Sequence, residues 1–166
     1  MLVDKYPKEI DRILNKFPPE RKRAAALPLL YLAQREYGHV SKEAIREVAG
    51  ILDVDPTQVG GLVGFYTLLH AKPGGKYRVQ VCTDLPCALR GAEKFAEELC
   101  ENLRIKMGET TDDGLITVEE VKCLAGCDNA PMFQLQAPDG IHYFENQDLA
   151  SAMELIDELR QRGDDA

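Results

Sequence analysis

Of 166 residues, 45% are apolar and 29% charged, a composition that builds a folded core and excludes a disordered chain. A chain this long buries roughly two-thirds of its unfolded surface and does not need disulfides to fold. Formal charge divides unevenly, net +3 over residues 1–76 and net −11 over residues 77–166. The acidic half is a poor match for nucleic acid or an anionic membrane and suits solubility or a basic protein surface.

The first half reads as helix. Ile10, Ile13, Leu14 and Phe17 recur at helical spacing and predict a helix over 7–17, which Pro18 and Pro19 stop. A second helix is expected over about 20–37, with Pro28 at a kink or near its first turn and Gly38 at its end. Ser41 stands where an N-cap belongs, ahead of Ala44, Ile45, Val48, Ala49 and Leu52. Asp55 and Pro56 then open a short helix to about residue 64. Four short helices make a small bundle over residues 1–72. Gly60, Gly61 and Gly64 follow no strand and do not match G-x-G-x-x-G, so they predict close helix packing rather than a dinucleotide site. Phe65 and Tyr66 are expected to pack at the bundle's end.

Residues 71–75, Ala-Lys-Pro-Gly-Gly, form a linker, and the pattern changes after it. Residues 77–81 alternate as a strand. A helix over about 88–103 follows, with Leu89, Ala92, Phe95, Ala96, Leu99 and Leu103 in one stripe. Residues 115–121 and 132–136 alternate again, and Pro138-Asp139-Gly140 turns the latter into a hairpin with 141–144. Asp148 caps a closing helix whose inner face carries Leu149, Ala152, Met153, Ile156 and Leu159. One small sheet covered by helices, close to a thioredoxin-like arrangement, is expected over residues 73–166.

Five cysteines carry the chemistry. Their odd number, with no apolar leader at Met1-Leu2-Val3-Asp4-Lys5, predicts a reducing compartment where thiols serve as ligands or catalysts. No stretch is apolar for long enough to predict a membrane span. Cys82 and Cys87 follow the first strand as C-x4-C, and Cys123 and Cys127 follow the second as C-x3-C. If those strands are parallel, both pairs lie on one rim, where open sheets place their ligands. Four thiolates suffice for a [2Fe–2S] cluster. Structural zinc and dithiol redox chemistry usually carry C-x2-C, which is absent, but both stay open beside buried thiols. Cys87 at a helix N-terminus would meet free N–H donors, Gly126 would allow a tight bend, and Pro86 and Pro131 would stiffen the loops. Cys100, on the order of 20 Å along a continuous helix from Cys87, reads as a core thiol. His39, His70 and His142 show no ligand spacing and read as structural, and no nucleophile or phosphate motif appears.

The segments CTDLPCALRGAEKF and GETTDDGLITVEEVKCLAGCDNAPMFQ resemble the thioredoxin-like [2Fe–2S] subunit of NADH–quinone oxidoreductase, the respiratory complex I. FPPERKRAAALPLLYLAQREYGHVS and GFYT extend the resemblance to most of residues 17–160. It implies an α+β chain, a helical bundle followed by a thioredoxin-like ferredoxin domain, with Cys82, Cys87, Cys123 and Cys127 as the four cluster ligands. It further implies an electron-transfer subunit, not catalytic alone, packed against the flavoprotein subunit that holds FMN and NADH. The expected location is the cytoplasmic peripheral arm of a membrane-bound complex, with no span of its own and no nucleic-acid partner. The matching subunit of an NAD(P)-linked hydrogenase or formate dehydrogenase is the second reading. A zinc-stabilised interaction module and a thiol–disulfide oxidoreductase are readings of other classes. One departure is that the family usually reads Cys-Leu-Gly-Ala-Cys, whereas Ala125 and Gly126 stand in the opposite order here, which can move the N–H donors near the cluster.

Overall fold

Prolines and capping side chains set most helix starts in the first part of the chain. The computed structural model describes residues 1–164; Asp165 and Ala166, the end of the second expected domain, lie outside the described residues. The chain divides into two compact units, Met1–Pro73 and the part that begins at Gly74.

The first unit holds α1 (Leu2–Lys5), α2 (Pro7–Leu14), α3 (Ala26–Tyr37), α4 (Lys42–Leu52) and α5 (Pro56–Phe65). The helix expected over 7–17 ends three residues early, because Lys16 and Phe17 close tighter turns onto Ile13 and Leu14. The one expected over 20–37 is two pieces, a 3-10 stretch at Pro19–Ala25 and then α3. Pro28 is the third residue of α3, inside the first turn, where its missing N–H leaves no intrahelical bond unmade. Gly38 ends α3 at φ 74°, a left-handed conformation that glycine adopts freely. Ser41 Oγ accepts the Ala44 N–H at 3.1 Å, and Asp55 Oδ1 accepts the Thr57 N–H at 2.8 Å, so both expected caps are formed. Leu29, Leu30, Val48 and Val59 lie at the centre of this unit's apolar core. Phe65 and Tyr66 meet edge to face with centroids 5.1 Å apart, but Phe65 is 76% exposed, so the pair is a surface feature rather than core packing.

The second unit is a four-stranded sheet in the order β2-β1-β3-β4. β1 (Tyr77–Cys82) pairs in parallel with β2 (Ile116–Val121) and antiparallel with β3 (Phe133–Ala137), which makes the expected hairpin with β4 (Gly140–Phe144). Tyr77, Val79 and Val81 alternate onto one face with Ile116, Val118, Phe133 and Leu135. There they join Phe95 and Leu99 of α7 (Ala92–Leu103) and Ile156 and Leu159 of α8 (Leu149–Asp164). Phe133 stacks between Phe95 and Phe144, at 6.4 and 5.1 Å between centroids. On the other face the polar residues are satisfied by one another. Gln80, 1% exposed, donates to Glu119 Oε2 at 2.9 Å and accepts from Gln136 at 2.9 Å, while Arg78 pairs with Glu119.

The single helix expected over 88–103 is also divided, into α6 (Leu85–Leu89) and α7. Arg90 leaves helical geometry, and Gly91 takes φ 88°, which caps α7 and turns the chain. Leu89 therefore leaves the apolar stripe and stands 80% exposed. The break also ends the continuous-helix estimate for Cys100, which nonetheless lies buried in the main core of the unit, as expected of a core thiol.

Candidate metal centre

Parallel pairing of β1 and β2, in the register Cys82 opposite Val121, brings the C-terminal ends of both strands to one rim. Cys82 is the last residue of β1, and Cys87 is the third residue of α6. Cys123 follows β2 by two residues, and Cys127 opens a 3-10 turn at Cys127–Asn129. All four expected residues thus sit on two facing loops. Cys82 and Cys87 are buried, Cys127 is half-buried and Cys123 is exposed. Beneath them Cys82, Cys87, Ala92, Ala130 and Met132 form a small apolar cluster of their own.

The loops are tied together by the backbone. The Cys82 N–H donates to the Met132 carbonyl and the Thr83 N–H to the Val121 carbonyl, each at 3.1 Å. Arg90 Nη1 donates to the Asp128 carbonyl at 3.1 Å, joining the end of α6 to the second loop. The Asn146 N–H donates to the Asn129 carbonyl at 2.7 Å and the Gln147 N–H to the Pro131 carbonyl at 2.8 Å, which anchors that loop to the segment after β4. The Ala130–Pro131 peptide bond is cis.

Charge and hydrogen bonding separate the thiols. Burial pushes the Cys82 thiol up, but the N–H groups of Asp84, Leu124 and Cys123, together with the Cys87 thiol, outweigh it and hold Cys82 below the usual thiol range. Its partner moves the other way: burial, the hydrogen bond to Cys82 and the charge of Cys82 push Cys87 up to about 12. Burial also raises Cys127, helped by the negative charge of Cys123 and Cys82. The donors on Cys82 come from both loops, so the exchanged Ala125 and Gly126 leave N–H groups on the sulfur. Gly126 itself has φ −104° and serves another purpose than the tight bend expected of it. A Cβ there would lie 2.5 Å from Met132 Sδ. The left-handed positions are Cys123 (φ 51°) and Ala125 (φ 63°).

Among the described residues, no three His, Cys, Asp or Glu side chains converge closely enough to hold one metal ion. The thiols come as two pairs instead. That donor set fits a [2Fe–2S] group, which takes four cysteine thiolates shared between two irons. The histidines stay outside. His142 faces Asp139 at 3.2 Å, His39 faces the Tyr37 carbonyl at 3.2 Å, and the buried His70 donates its backbone N–H to Gln34. Sequence reasoning missed the contact of Met132 with the second loop, the reach of Arg90 to the Asp128 carbonyl, and the polar group Thr83–Glu120–Lys122. Adjacency to a cysteine was the signal for Thr83 and Lys122, and Glu120 carried none.

The sequence model of the thioredoxin-like [2Fe-2S] ferredoxin family matches residues 10–160. NADH-quinone oxidoreductase subunit 2 of Thermus thermophilus is 43% identical over 126 residues, which cover 76% of this chain and 70% of that protein. An NADH-quinone oxidoreductase subunit of Rickettsia prowazekii is 41% identical over 151 residues, 89% of this chain and 82% of the relative. Another, from Rhizobium meliloti, is 38% identical over 152 residues, covering 92% and 87%. Among solved structures, an air-oxidised NAD+-reducing [NiFe]-hydrogenase superposes with a TM-score of 0.66 at 19% identity. That superposition covers 81% of this chain and 23% of the hydrogenase chain, and it is a likeness of fold alone.

Proposed function

The chain belongs to the thioredoxin-like [2Fe-2S] ferredoxin family, and from that premise we propose that it is the electron-transfer subunit of an NADH–quinone oxidoreductase. Its relatives at about 40% identity over most of their length carry that enzyme's name. The hydrogenase reading rests on a likeness of fold at 19% identity and is the weaker one. In this reading Cys82, Cys87, Cys123 and Cys127 hold one [2Fe–2S] cluster. The observation that carries it is the meeting of two cysteine pairs on parallel strand ends, with three backbone N–H groups on the Cys82 sulfur.

When bound, the cluster supplies a one-electron store with the potential that its surroundings set. This chain's residues do the rest. The N–H groups of Asp84, Cys123 and Leu124 stabilise negative charge on sulfur, as they do for any thiolate. Cys82 and Cys87 sit in an apolar pocket over Met132, which keeps water from their sulfurs. The loops are short and held at both ends, so their geometry changes little when charge changes. NADH and FMN belong to the partner flavoprotein subunit, against which this chain docks in the peripheral arm. No helix among the described residues is long and apolar enough to cross a membrane. A position on the cytoplasmic face of the complex completes the reading.

Iron and acid-labile sulfide analysis with electron paramagnetic resonance tests it. About two irons and two sulfides per chain, with a rhombic signal only after dithionite, are expected. Cys82→Ala and Cys123→Ala should each abolish that native signal, and Cys100→Ala should leave it. Zinc with no signal would remove the electron-transfer reading, and loss of the signal in Cys100→Ala would overturn the ligand set.

A further inference from the structure

Two side chains next to cysteines, one on each loop, meet outside the thiol cluster. Thr83 follows Cys82 directly, and Lys122 directly precedes Cys123. The Thr83 hydroxyl donates to Glu120 Oε1 at 2.6 Å and accepts from Lys122 Nζ at 2.9 Å. Lys122 closes the triangle with an ion pair to the same Glu120 carboxylate. A hydroxyl has one proton to give and lone pairs to receive, so both partners fix its orientation. Thr83 is buried, whereas Lys122 is 64% exposed and Glu120 45% exposed. An ion pair so open to water adds little to stability. Its placement is the more informative property.

We propose that Thr83, Glu120 and Lys122 are positioning residues that hold the two ligand loops in register and keep their own opposed charges balanced at the cluster, so that neither alone shifts the reduction potential. The inference rests on the reading that the four cysteines hold a [2Fe–2S] cluster. One-electron reduction adds one negative charge to the site, with the electron taken from the titrant and no bond broken. A nearby cation favours the reduced state and a nearby anion the oxidised state. Because the Lys122 ammonium and the Glu120 carboxylate touch, their fields largely cancel at the cluster. Removing either one unmasks the other. Asp84 and Glu93 also act on the Lys122 charge, so its loss removes the cation shared by three carboxylates.

The test is a redox titration of the full chain, loaded with its cluster and followed by electron paramagnetic resonance, in four variants. Lys122→Met is expected to lower the midpoint potential and Glu120→Gln to raise it. Each shift corresponds to at most about a tenfold change in the reduced-to-oxidised ratio, ~59 mV for one electron. The double variant Lys122→Met with Glu120→Gln should return close to the parent, and Lys122→Arg should stay there. A purely structural strut would move both single variants in one direction or neither, and that result overturns the proposal. Should Lys122→Met fail to load, Glu120→Gln carries the decision alone: a raised potential supports the proposal and an unchanged one overturns it. A parent chain without iron, sulfide or signal would instead defeat the cluster reading, so the two failures are distinguishable.

Discussion

At the scale of single residues, the second cysteine loop shows why glycine placement cannot be read from motif spacing alone. Ala125 holds φ 63°, which costs an L-residue roughly 1–2 kcal/mol. Gly126 holds an ordinary negative φ, and what it supplies is room for Met132, whose sulfur would lie 2.5 Å from an added Cβ. Met132 is fully buried, so it has little space in which to retreat. Gly126→Ala is therefore expected to cost about 1–3 kcal/mol through overpacking. Ala125→Gly relieves the left-handed strain but frees the unfolded chain, so a net gain of at most about 1 kcal/mol is expected. Chemical denaturation of the two variants separates these effects; a neutral Gly126→Ala beside a destabilising Ala125→Gly would reverse the assignment. The meeting of Cys82, Cys87, Cys123 and Cys127 at one rim was legible because the strand pattern places both pairs at strand ends. The left-handed backbone at Cys123 and Ala125 was not, because neither residue type announces positive φ.

At the scale of elements, legibility followed local chemistry. Ser41 and Asp55 were readable as caps because a side-chain oxygen three or four positions before the first apolar position satisfies a specific free N–H. The break between α6 and α7 was missed because Leu89 and Ala92 stand three residues apart, the spacing of an unbroken helix. Gly91 was the one sign against it. No heavy atom lies within 4 Å of a Cβ built on Gly91, so the need for glycine there is purely conformational, set by φ 88°. Gly91→Ala should therefore destabilise the chain by about 1–2 kcal/mol without any steric clash. The same turn places Arg90 where it reaches the Asp128 carbonyl, so the variant should also raise hydrogen exchange in residues 127–131. Unchanged stability would show that the α6–α7 corner tolerates an ordinary residue. The four-residue α1 carried no periodicity to read, since one turn is too short to repeat.

At the scale of the whole molecule, the charge asymmetry seen in the sequence becomes a set of carboxylates with defined partners. The Arg35 guanidinium on Glu9 and the Lys5 and Tyr6 donors on Glu36 hold these acids below the usual range in the first unit. In the second unit, the Ser151 N–H lowers Asp148 where it caps α8. Burial raises Asp113, but Thr111, the Leu115 N–H and Arg160 together outweigh it. A carboxyl whose folded pKa is depressed contributes stability that is present above its unfolded value, about 4, and is lost as pH falls through the folded value. The phenols act in the opposite sense. Burial and the Glu47 carboxylate push Tyr37 up to about 12, and Glu36 raises Tyr6. Their contribution is complete below the ordinary phenol value of about 10 and disappears as pH rises through the folded values. The raised thiols, Cys87 foremost, begin to lose their contribution lower still, near the ordinary thiol value of about 8.5. Stability measured by urea denaturation should therefore be flat between about pH 5 and 7.5 and fall on both sides. On the acid side, Glu9→Gln and Asp148→Asn should each make the fall shallower, because each removes one depressed group. A chain most stable at pH 3, or variants with an unchanged acid limb, would show that these carboxylates do not control the acid response.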